Sequence, residues 1–151
     1  MDMETFFSLA NGWALFAWLV LILAPRGPKI LALLMYLGVF MLCLAYVVLA
    51  GLLLSGQMDS GGTAEGGSFT SLAGVMALFA APAGAMVGWL HYLAFDLFTG
   101  MWIARDADHK GFSRIWQAPI LLLTFMAGPF GLLIWLVVRD RAARAMAKRG
   151  V

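Results

Sequence analysis

Charged residues are scarce in this chain. Only 12% of its 151 residues are charged, whereas 63% are hydrophobic, and an ordinary soluble domain has about 25% charged residues. The mean hydropathy is +0.91. Water could not solvate a folded surface of this composition, so a soluble globular domain is excluded. The composition predicts an all-α polytopic membrane protein.

Cysteine and the signatures of soluble enzymes are also nearly absent. Cys43 is the single cysteine, which excludes an internal disulfide and suits a small packing residue. The sequence contains no P-loop, nucleophile elbow, CxxC, HExxH or GxGxxG motif, and it indicates no cofactor. Basic residues are not interleaved with aromatic ones, so nucleic acid is not an expected partner. In a membrane protein they are topology signals or lipid headgroup contacts.

The N-terminal sequence MDMETFF is acidic. It lacks the basic region of a secretory signal and the Arg- and Ser-rich character of an organelle transit peptide. The first apolar run is therefore predicted to be a retained membrane helix. We expect the protein in a membrane, and in the bacterial inner (cell) membrane rather than in a plastid.

Four apolar segments approach the roughly 20 residues that a helix needs to cross a bilayer. They predict transmembrane helices at 6–24, 30–54, 83–104 and 118–138, in a single membrane domain over 1–151. A flexible loop at 55–68, an interfacial or re-entrant helix at 69–80 and a basic tail at 139–151 complete the prediction. Gly128-Pro129-Phe130-Gly131, inside the fourth segment, predicts a kink that either frees carbonyl groups toward a cavity or only adjusts packing.

Four spans would place five basic residues on each side of the membrane. One side would hold the turn after the first span and the loop after the third, and the other side would hold the tail. The positive-inside rule compares these Lys and Arg counts. Five against five gives no orientation.

The third segment contains His91 and Asp96, and Asp96 is the only charged residue inside a predicted span. A carboxylate at the bilayer centre costs at least ~2.5 kcal/mol, so it normally faces the bundle interior and has a function. The alternative for Asp96 is a structural cap bonded to a neighbouring hydroxyl, indole or backbone group. The alternative for His91 is a buried neutral side chain hydrogen-bonded across helices.

His91 and Asp96 are five residues apart, so on a helix they point roughly 140° away from each other and lie ~7.5 Å apart along the axis. They either border one cavity or serve different neighbours. Each shares its side of the helix with aromatic or hydroxyl side chains that are predicted to bind substrate, with plain packing as the alternative. These are Trp89, Tyr92 and Thr99 near Asp96, and Phe95, Phe98 and Trp102 near His91. Gly84 and Gly88 form a small-x-x-x-small pattern that lets another helix approach.

Asp106, Asp108 and His109 form a second polar group. Carboxylates and imidazole are suitable metal ligands. A solvated loop at the membrane surface is the favoured interpretation, and no metal site is assigned.

Two stretches carry a family resemblance: GWLHYLAFDLFTGMW at 88–102, followed by Asp106, and PILLLTFMAGPFGLL at 119–133. They resemble the abscisic-acid-deficient-four-like family of small membrane proteins, linked in plants to neoxanthin synthesis. The resemblance covers about residues 71–136. It implies isomerisation of a xanthophyll epoxide to an allenic alcohol, which needs a proton donor to the epoxide oxygen and a base for a carbon-bound proton. His91 and Asp96 match the family string and suit these two roles, in either assignment.

Three functions follow as hypotheses. The first is an enzyme that acts on a carotenoid or another isoprenoid by intramembrane acid/base chemistry. The second is a non-catalytic carotenoid- or lipid-binding membrane subunit. The third is a proton-coupled transporter that uses Asp96, which is weaker because four spans would need an oligomer and no inverted repeat is visible. The expected partners are membrane lipid and an apolar pigment or isoprenoid, and an oligomer is compatible with the sequence.

Overall fold

Helices form all the secondary structure of residues 2–61 and 67–147, which are the residues that the computed structural model describes; no strand occurs among them. In chain order they are α1 (Met3–Leu23), α2 (Pro28–Leu54), α3 (Leu72–Ala80), α4 (Pro82–His109), α5 (Arg114–Met126) and α6 (Gly128–Ala147). The predicted all-α class is confirmed. Residues 62–66 of the predicted loop 55–68 and residues 148–151 of the predicted tail lie outside the described part.

The first two predicted spans correspond to α1 and α2, which are both long and apolar enough to cross a membrane. The side chain of Asp2 caps α1 by accepting a hydrogen bond from the Thr5 N–H at 2.7 Å. Pro28 begins α2, where its missing N–H costs nothing. A π-helical segment, Leu34–Phe40, interrupts α2, and the Trp13 indole donates to the Leu37 carbonyl within it at 2.6 Å.

The central helix is α4, which contacts α1, α2, α3, α5 and α6. Leu90, Leu97 and Ile103 on α4 are fully buried in the core. The Trp18 ring of α1 lies against Gly100, where a Cβ atom would overlap it. The small residue at this position therefore allows α1 to pack closely on α4.

The short helix before the third span is confirmed as α3. It bends by 102° from α4, so the two helices are nearly perpendicular. Gly84 lies against the Leu78 carbonyl and Gly88 against the Phe79 ring, so Cβ atoms at these glycines would overlap α3. The small-x-x-x-small pattern thus accommodates α3. The bent pair α3 and α4 is a third candidate span.

The segment 118–138 is not the single transmembrane helix that the sequence predicted. Near its start, the Gln117 amide of α5 donates to Asp108 of α4 at 2.9 Å. Near the end of α5, the Met126 carbonyl accepts from the Tyr92 hydroxyl at 2.9 Å. Residue 117 of α5 thus contacts residue 108 of α4, and residue 126 contacts residue 92. Because the numbers rise along α5 while they fall along α4, the two helices are antiparallel.

The next helix, α6, returns toward the end from which α5 came. Gly128, at its start, lies against Asp96, and Trp135 donates to Asp106 at 3.0 Å. Residue 128 of α6 thus lies beside residue 96 of α4, and residue 135 contacts residue 106. Because the numbers rise along both helices, α6 runs parallel to α4 and antiparallel to α5. Together α5 and α6 form a helical hairpin, whose tip lies beside Tyr92 and Asp96.

Local backbone chemistry explains the turn at the tip of the hairpin. Ala127 is extended, with φ −156° and ψ 84°, and Pro129 cannot donate a backbone hydrogen bond to the preceding turn. Gly131 lies so close to Thr124 that a Cβ atom would overlap its backbone and hydroxyl group. The Gly-Pro-Phe-Gly stretch therefore produces a full reversal of the chain rather than the predicted kink.

The hairpin changes the distribution of charge. Arg26 pairs with Asp108 at 3.2 Å, and Arg139 of α6 pairs with Asp106 at 3.1 Å. The described basic side chains therefore lie at one end of the bundle, here called the basic end: Arg26, Lys29, Arg105, Lys110, Arg114, Arg139 and Arg144. The opposite, acidic end has Asp2, Glu4 and Asp59. The predicted five-to-five split is wrong because α6 does not cross.

Candidate functional site

The buried carboxylate of Asp96 is the centre of the candidate site. Asp96 is only 9% exposed, so the prediction that it faces the bundle interior is confirmed. Its carboxylate interacts with the Tyr92 hydroxyl, one helical turn earlier on α4, and with the backbone N–H of Gly128 at the start of α6. Three groups from two helices therefore converge at the tip of the hairpin.

Tyr92 and Asp96 compensate for backbone groups that the hairpin tip leaves without helical partners. The last carbonyls of a helix and the first N–H groups of the next have no partner within their own helix. The Tyr92 hydroxyl lies 3.2 Å from the Phe125 carbonyl and 2.9 Å from the Met126 carbonyl. The Asp96 carboxylate faces the N-terminus of α6, where the helix dipole favours negative charge. The position of Asp96 beside Gly128 thus agrees with the capping role considered for it.

Capping uses only part of the Asp96 carboxylate. Its Oδ2 atom is buried and has no hydrogen-bond partner among the described residues. An unpaired buried polar atom typically costs about 1–3 kcal/mol, and a catalytic or ligand-binding role is one of the explanations for such an atom. This oxygen can hold or release a proton, or accept a hydrogen bond from a ligand.

His91 lies on a different face of α4 and is exposed. Its imidazole stacks on the Phe95 ring, with centroids 4.5 Å apart, and meets the edge of Tyr46 at 5.9 Å. The structure therefore does not bring His91 and Asp96 together. Their spacing allowed either one shared cavity or different neighbours, and in the structure His91 and Asp96 contact different neighbours.

The predicted substrate-binding residues divide between these same two faces. Trp89 stacks on Tyr92, with ring centroids 5.1 Å apart, and its indole donates to Asn11 of α1 at 3.1 Å. Trp89 also lines a groove of about 430 Å³ at the acidic end, together with Phe7 and Met86. Thr99 is half-buried, and its role stays a prediction.

The outward face has Phe95, Phe98 and Trp102, which are 57%, 48% and 39% exposed. The Arg139 guanidinium lies 5.5 Å from the Trp102 ring centroid, a cation–π contact that attaches α6 to α4. Phe98 and Trp102 line a second groove, at the basic end. Trp89 on one side and Phe98 and Trp102 on the other therefore line two different grooves rather than one pocket.

Sequence reasoning missed a buried polar cluster at the basic end, here called the Arg26 cluster. The side chains of Arg26 and Gln117 are almost fully buried. Arg26 donates to Asp108, to the Gln117 amide oxygen and to the Leu21 carbonyl at 2.8 Å. Burial lowers the pKa of the Arg26 guanidinium, while the Asp108 carboxylate opposes the shift. Gln117 at the start of an apolar run was the available signal.

A second cluster, the Arg139 cluster, surrounds Asp106. This carboxylate pairs with Lys110 at 3.2 Å and with Arg139 at 3.1 Å, and it accepts the Trp135 indole hydrogen bond. Asp106 and Asp108 therefore belong to the last turns of α4 and to packed ion-pair clusters, which corrects the predicted solvated loop. Within 2–61 and 67–147, no group of three His, Cys, Asp or Glu side chains is arranged to hold a metal ion.

We expect Arg26→Met to lower the stability of the protein by about 1–3 kcal/mol, because the buried Gln117 amide oxygen would lose its donor and Asp108 would lose an ion pair. Lys29→Met is the matched control, since Lys29 is exposed at the same end. Thermal unfolding in detergent, followed by tryptophan fluorescence, measures the difference. Equal melting temperatures for the two variants would show that the Arg26 cluster contributes nothing to stability.

The fold and the site together define a small helical membrane protein with a buried carboxylate. Two of its helices could cross a membrane, or three if the bent pair α3 and α4 is one span. A family model described as ABA DEFICIENT 4-like matches residues 5–135, and the chain belongs to this family. The resemblance seen in the sequence is thus confirmed, and the match includes the hairpin tip. Comparisons with curated proteins and with solved structures give no match.

Proposed function

We propose that this protein modifies a carotenoid or another isoprenoid in the membrane by proton transfer at Asp96. The observation that carries the proposal is the Oδ2 atom of Asp96, which is buried and has no partner among the described residues. Membership of a family related to neoxanthin synthesis supports an apolar pigment as the substrate class. We further propose the bacterial cell membrane as its location.

An isomerisation of the kind that the family implies moves a proton without consuming a co-reactant. A protonated Asp96 would donate to an oxygen of the substrate, and an ionised Asp96 would accept a carbon-bound proton. The Tyr92 hydroxyl lies beside the carboxylate and is the nearest second proton carrier. Tyr92 and Asp96 therefore form the proposed acid/base pair. His91, on the outer face, takes no part in this proton transfer.

The groove at the acidic end is the proposed entry for the substrate. Its lining is largely apolar and includes Phe7, Met86 and Trp89. The Trp89 ring, which lines the groove, stacks on Tyr92, so one wall of the groove contacts the first member of the proposed proton-transfer pair. A flat polyene or ring end group would lie against these aromatic faces.

The second candidate is a pigment- or lipid-binding subunit without catalytic activity. It is favoured by the exposed outward face of α4, where Phe95 and Phe98 are 57% and 48% exposed and His91 stacks on Phe95. Such a subunit would depend on these side chains and not on the carboxylate of Asp96.

The deciding experiment is a chromatographic profile of carotenoids and other apolar lipids in cells with and without the gene. We expect one species to disappear, its precursor to accumulate, and wild type to restore the product. Asp96→Asn should restore less than about 1% of the turnover, because acid/base catalysis contributes about 10²–10⁴-fold, while the protein still binds the precursor. Asp59→Asn, an exposed carboxylate at the acidic end, should behave as wild type.

Full restoration by Asp96→Asn would exclude catalysis at this carboxylate. If loss of product followed substitution of Phe95 and Phe98 instead, the binding subunit would be the better description. Tyr92→Phe tests the pair directly: it should reduce turnover but leave the precursor bound, since the ring remains and only the hydroxyl is lost.

A further inference from the structure

A groove lies between α2 and α4 at the basic end of the bundle. The groove with Trp89 lies at the opposite, acidic end. Its apolar part is formed by Leu31 and Met35 of α2 and Met101 of α4, and its volume is about 540 Å³. Small-molecule sites typically measure about 300–1,000 Å³. The groove is therefore large enough for an aliphatic chain.

The mouth of this basic-end groove is polar. Arg105 and His109 are both exposed and lie one helical turn apart on α4. The two side chains also line a neighbouring space of about 270 Å³, together with Phe98 and Trp102. The groove thus opens at a guanidinium and an imidazole, and the carboxylates of Asp108 and Asp106 also line these two spaces.

The charge of Arg105 is not balanced within the protein. Asp108 already pairs with Arg26 and Arg114, and Asp106 pairs with two further cations in the Arg139 cluster. With the described residues, Arg105 itself forms no ion pair. The basic end therefore has an excess of positive charge, and Arg105, at the mouth of the groove, is one of its cations without an ion pair among the described residues.

From this arrangement we infer that the basic-end groove binds a phosphate-headed amphiphile of the membrane. The phosphate lies at Arg105 and His109, and the aliphatic chain lies along Leu31, Met35 and Met101. A guanidinium presents paired N–H donors that match two phosphate oxygens, and the imidazole supplies a donor to a third. The chain supplies the apolar contact that inorganic phosphate lacks.

The site is independent of the proposed chemistry at Asp96, because the groove is lined by the α2-facing side of α4 and Asp96 is not among its lining residues. A phospholipid and an isoprenoid phosphate share the recognised chemistry. The experiment separates these two sources by chain type, comparing dodecyl phosphate with farnesyl phosphate.

The test is native mass spectrometry of the full chain in a neutral detergent, titrated with dodecyl phosphate, farnesyl phosphate, dodecanoate, dodecanol and inorganic phosphate. Arg105→Gln keeps the stem of the side chain and removes the charge. Arg144→Gln makes the same change of charge on the exposed tail helix and is the matched control. Each probe partitions into the detergent micelles to the same extent with every variant. The ratio of the affinities of two variants therefore reports binding at the site.

We expect dodecyl phosphate to bind wild type at least tenfold more tightly than dodecanol or inorganic phosphate, since a hydrogen-bonded charge pair is typically worth about tenfold or more. Arg105→Gln should lose about tenfold, and Arg144→Gln less than twofold. Equal losses in the two variants would overturn the site in favour of general attraction. Binding of dodecanoate or inorganic phosphate as tight as that of dodecyl phosphate would overturn the assignment to a phosphate-headed amphiphile.

Tighter binding of farnesyl phosphate than of dodecyl phosphate would support the isoprenoid source, and the reverse order would support the phospholipid source. Asp96→Asn should bind every probe as wild type does. The proposed function and this site can therefore fail separately: unchanged lipid profiles with Asp96→Asn would leave the Arg105 result intact.

Discussion

Ser113→Cys and Arg144→Cys, each made in a Cys43→Ser background, are expected to react with a membrane-impermeant maleimide from the same side of the membrane. Ser113 precedes α5 and Arg144 lies near the end of α6, and both positions are exposed. Because the hairpin of α5 and α6 returns to the basic end, the chain does not cross the membrane between them. Four spans would place the two cysteines on opposite sides.

The side itself follows from the distribution of charge. The described basic side chains lie at the basic end, whereas Asp2, Glu4 and Asp59 lie at the acidic end. The positive-inside rule then places the basic end in the cytoplasm. In intact cells only Asp59→Cys should react with the reagent, and permeabilised cells should show labelling of all three variants. Labelling of Arg144→Cys from outside, without Ser113→Cys, would restore the four-span topology.

Gly128→Ala should destabilise the protein strongly, although alanine is the better helix former. A Cβ atom at this position would overlap the Asp96 carboxylate, and that carboxylate is held in place by Tyr92 and the start of α6. Overpacking of a filled site typically costs about 1–3 kcal/mol. The clash also displaces the cap of α6, so we expect the upper part of this range.

Gly12→Ala is the matched control, because a Cβ atom at Gly12 has nothing within 4 Å. Replacing a helical glycine with alanine in open space stabilises by about 0.4–1 kcal/mol. The two variants should therefore shift the melting temperature in detergent in opposite directions. A cycle with Asp96→Ala adds a second check, since removing the carboxylate should relieve most of the cost of Gly128→Ala. Equal shifts for Gly128→Ala and Gly12→Ala would contradict the described tip.

The regular part of the fold could be predicted from the sequence. The apolar runs at 6–24 and 30–54 correspond to α1 and α2, and 83–104 lies within α4, because the length of an apolar run is a direct physical requirement for crossing a bilayer. Burial of Asp96 followed from its isolation in an apolar segment. The helical angle of 100° per residue predicted that His91 and Asp96 point apart, but it left open whether they border one cavity or serve different neighbours.

The hairpin could not be predicted in the same way. Residues 118–138 have the length and composition of a span, and a Gly-Pro pair is compatible with a kink in a continuous helix. What allows a complete reversal is that Tyr92 and Asp96, about 30 residues earlier in the chain, contact the backbone groups on either side of Ala127. Composition and local periodicity contain no information on such distant partners.

The same reason explains the error at the basic end. Asp106 and Asp108 looked like loop residues because their partners are remote: Arg139 and Trp135 lie in α6, and Arg26 lies before α2. With these partners α4 continues to His109. The missed Arg26 cluster was indicated only by Gln117, a single amide beside an apolar run.

The dependence of the hairpin on Tyr92 and Asp96 determines an order of assembly during synthesis. The carbonyls of Phe125 and Met126 and the N–H group of Gly128 cannot enter hydrocarbon without partners, since each would cost several kcal/mol there. Those partners are on α4, which leaves the ribosome first. We therefore expect the hairpin to insert only after α4 has spanned the bilayer. In this later step the hairpin docks against α4, and no charged residue crosses the membrane.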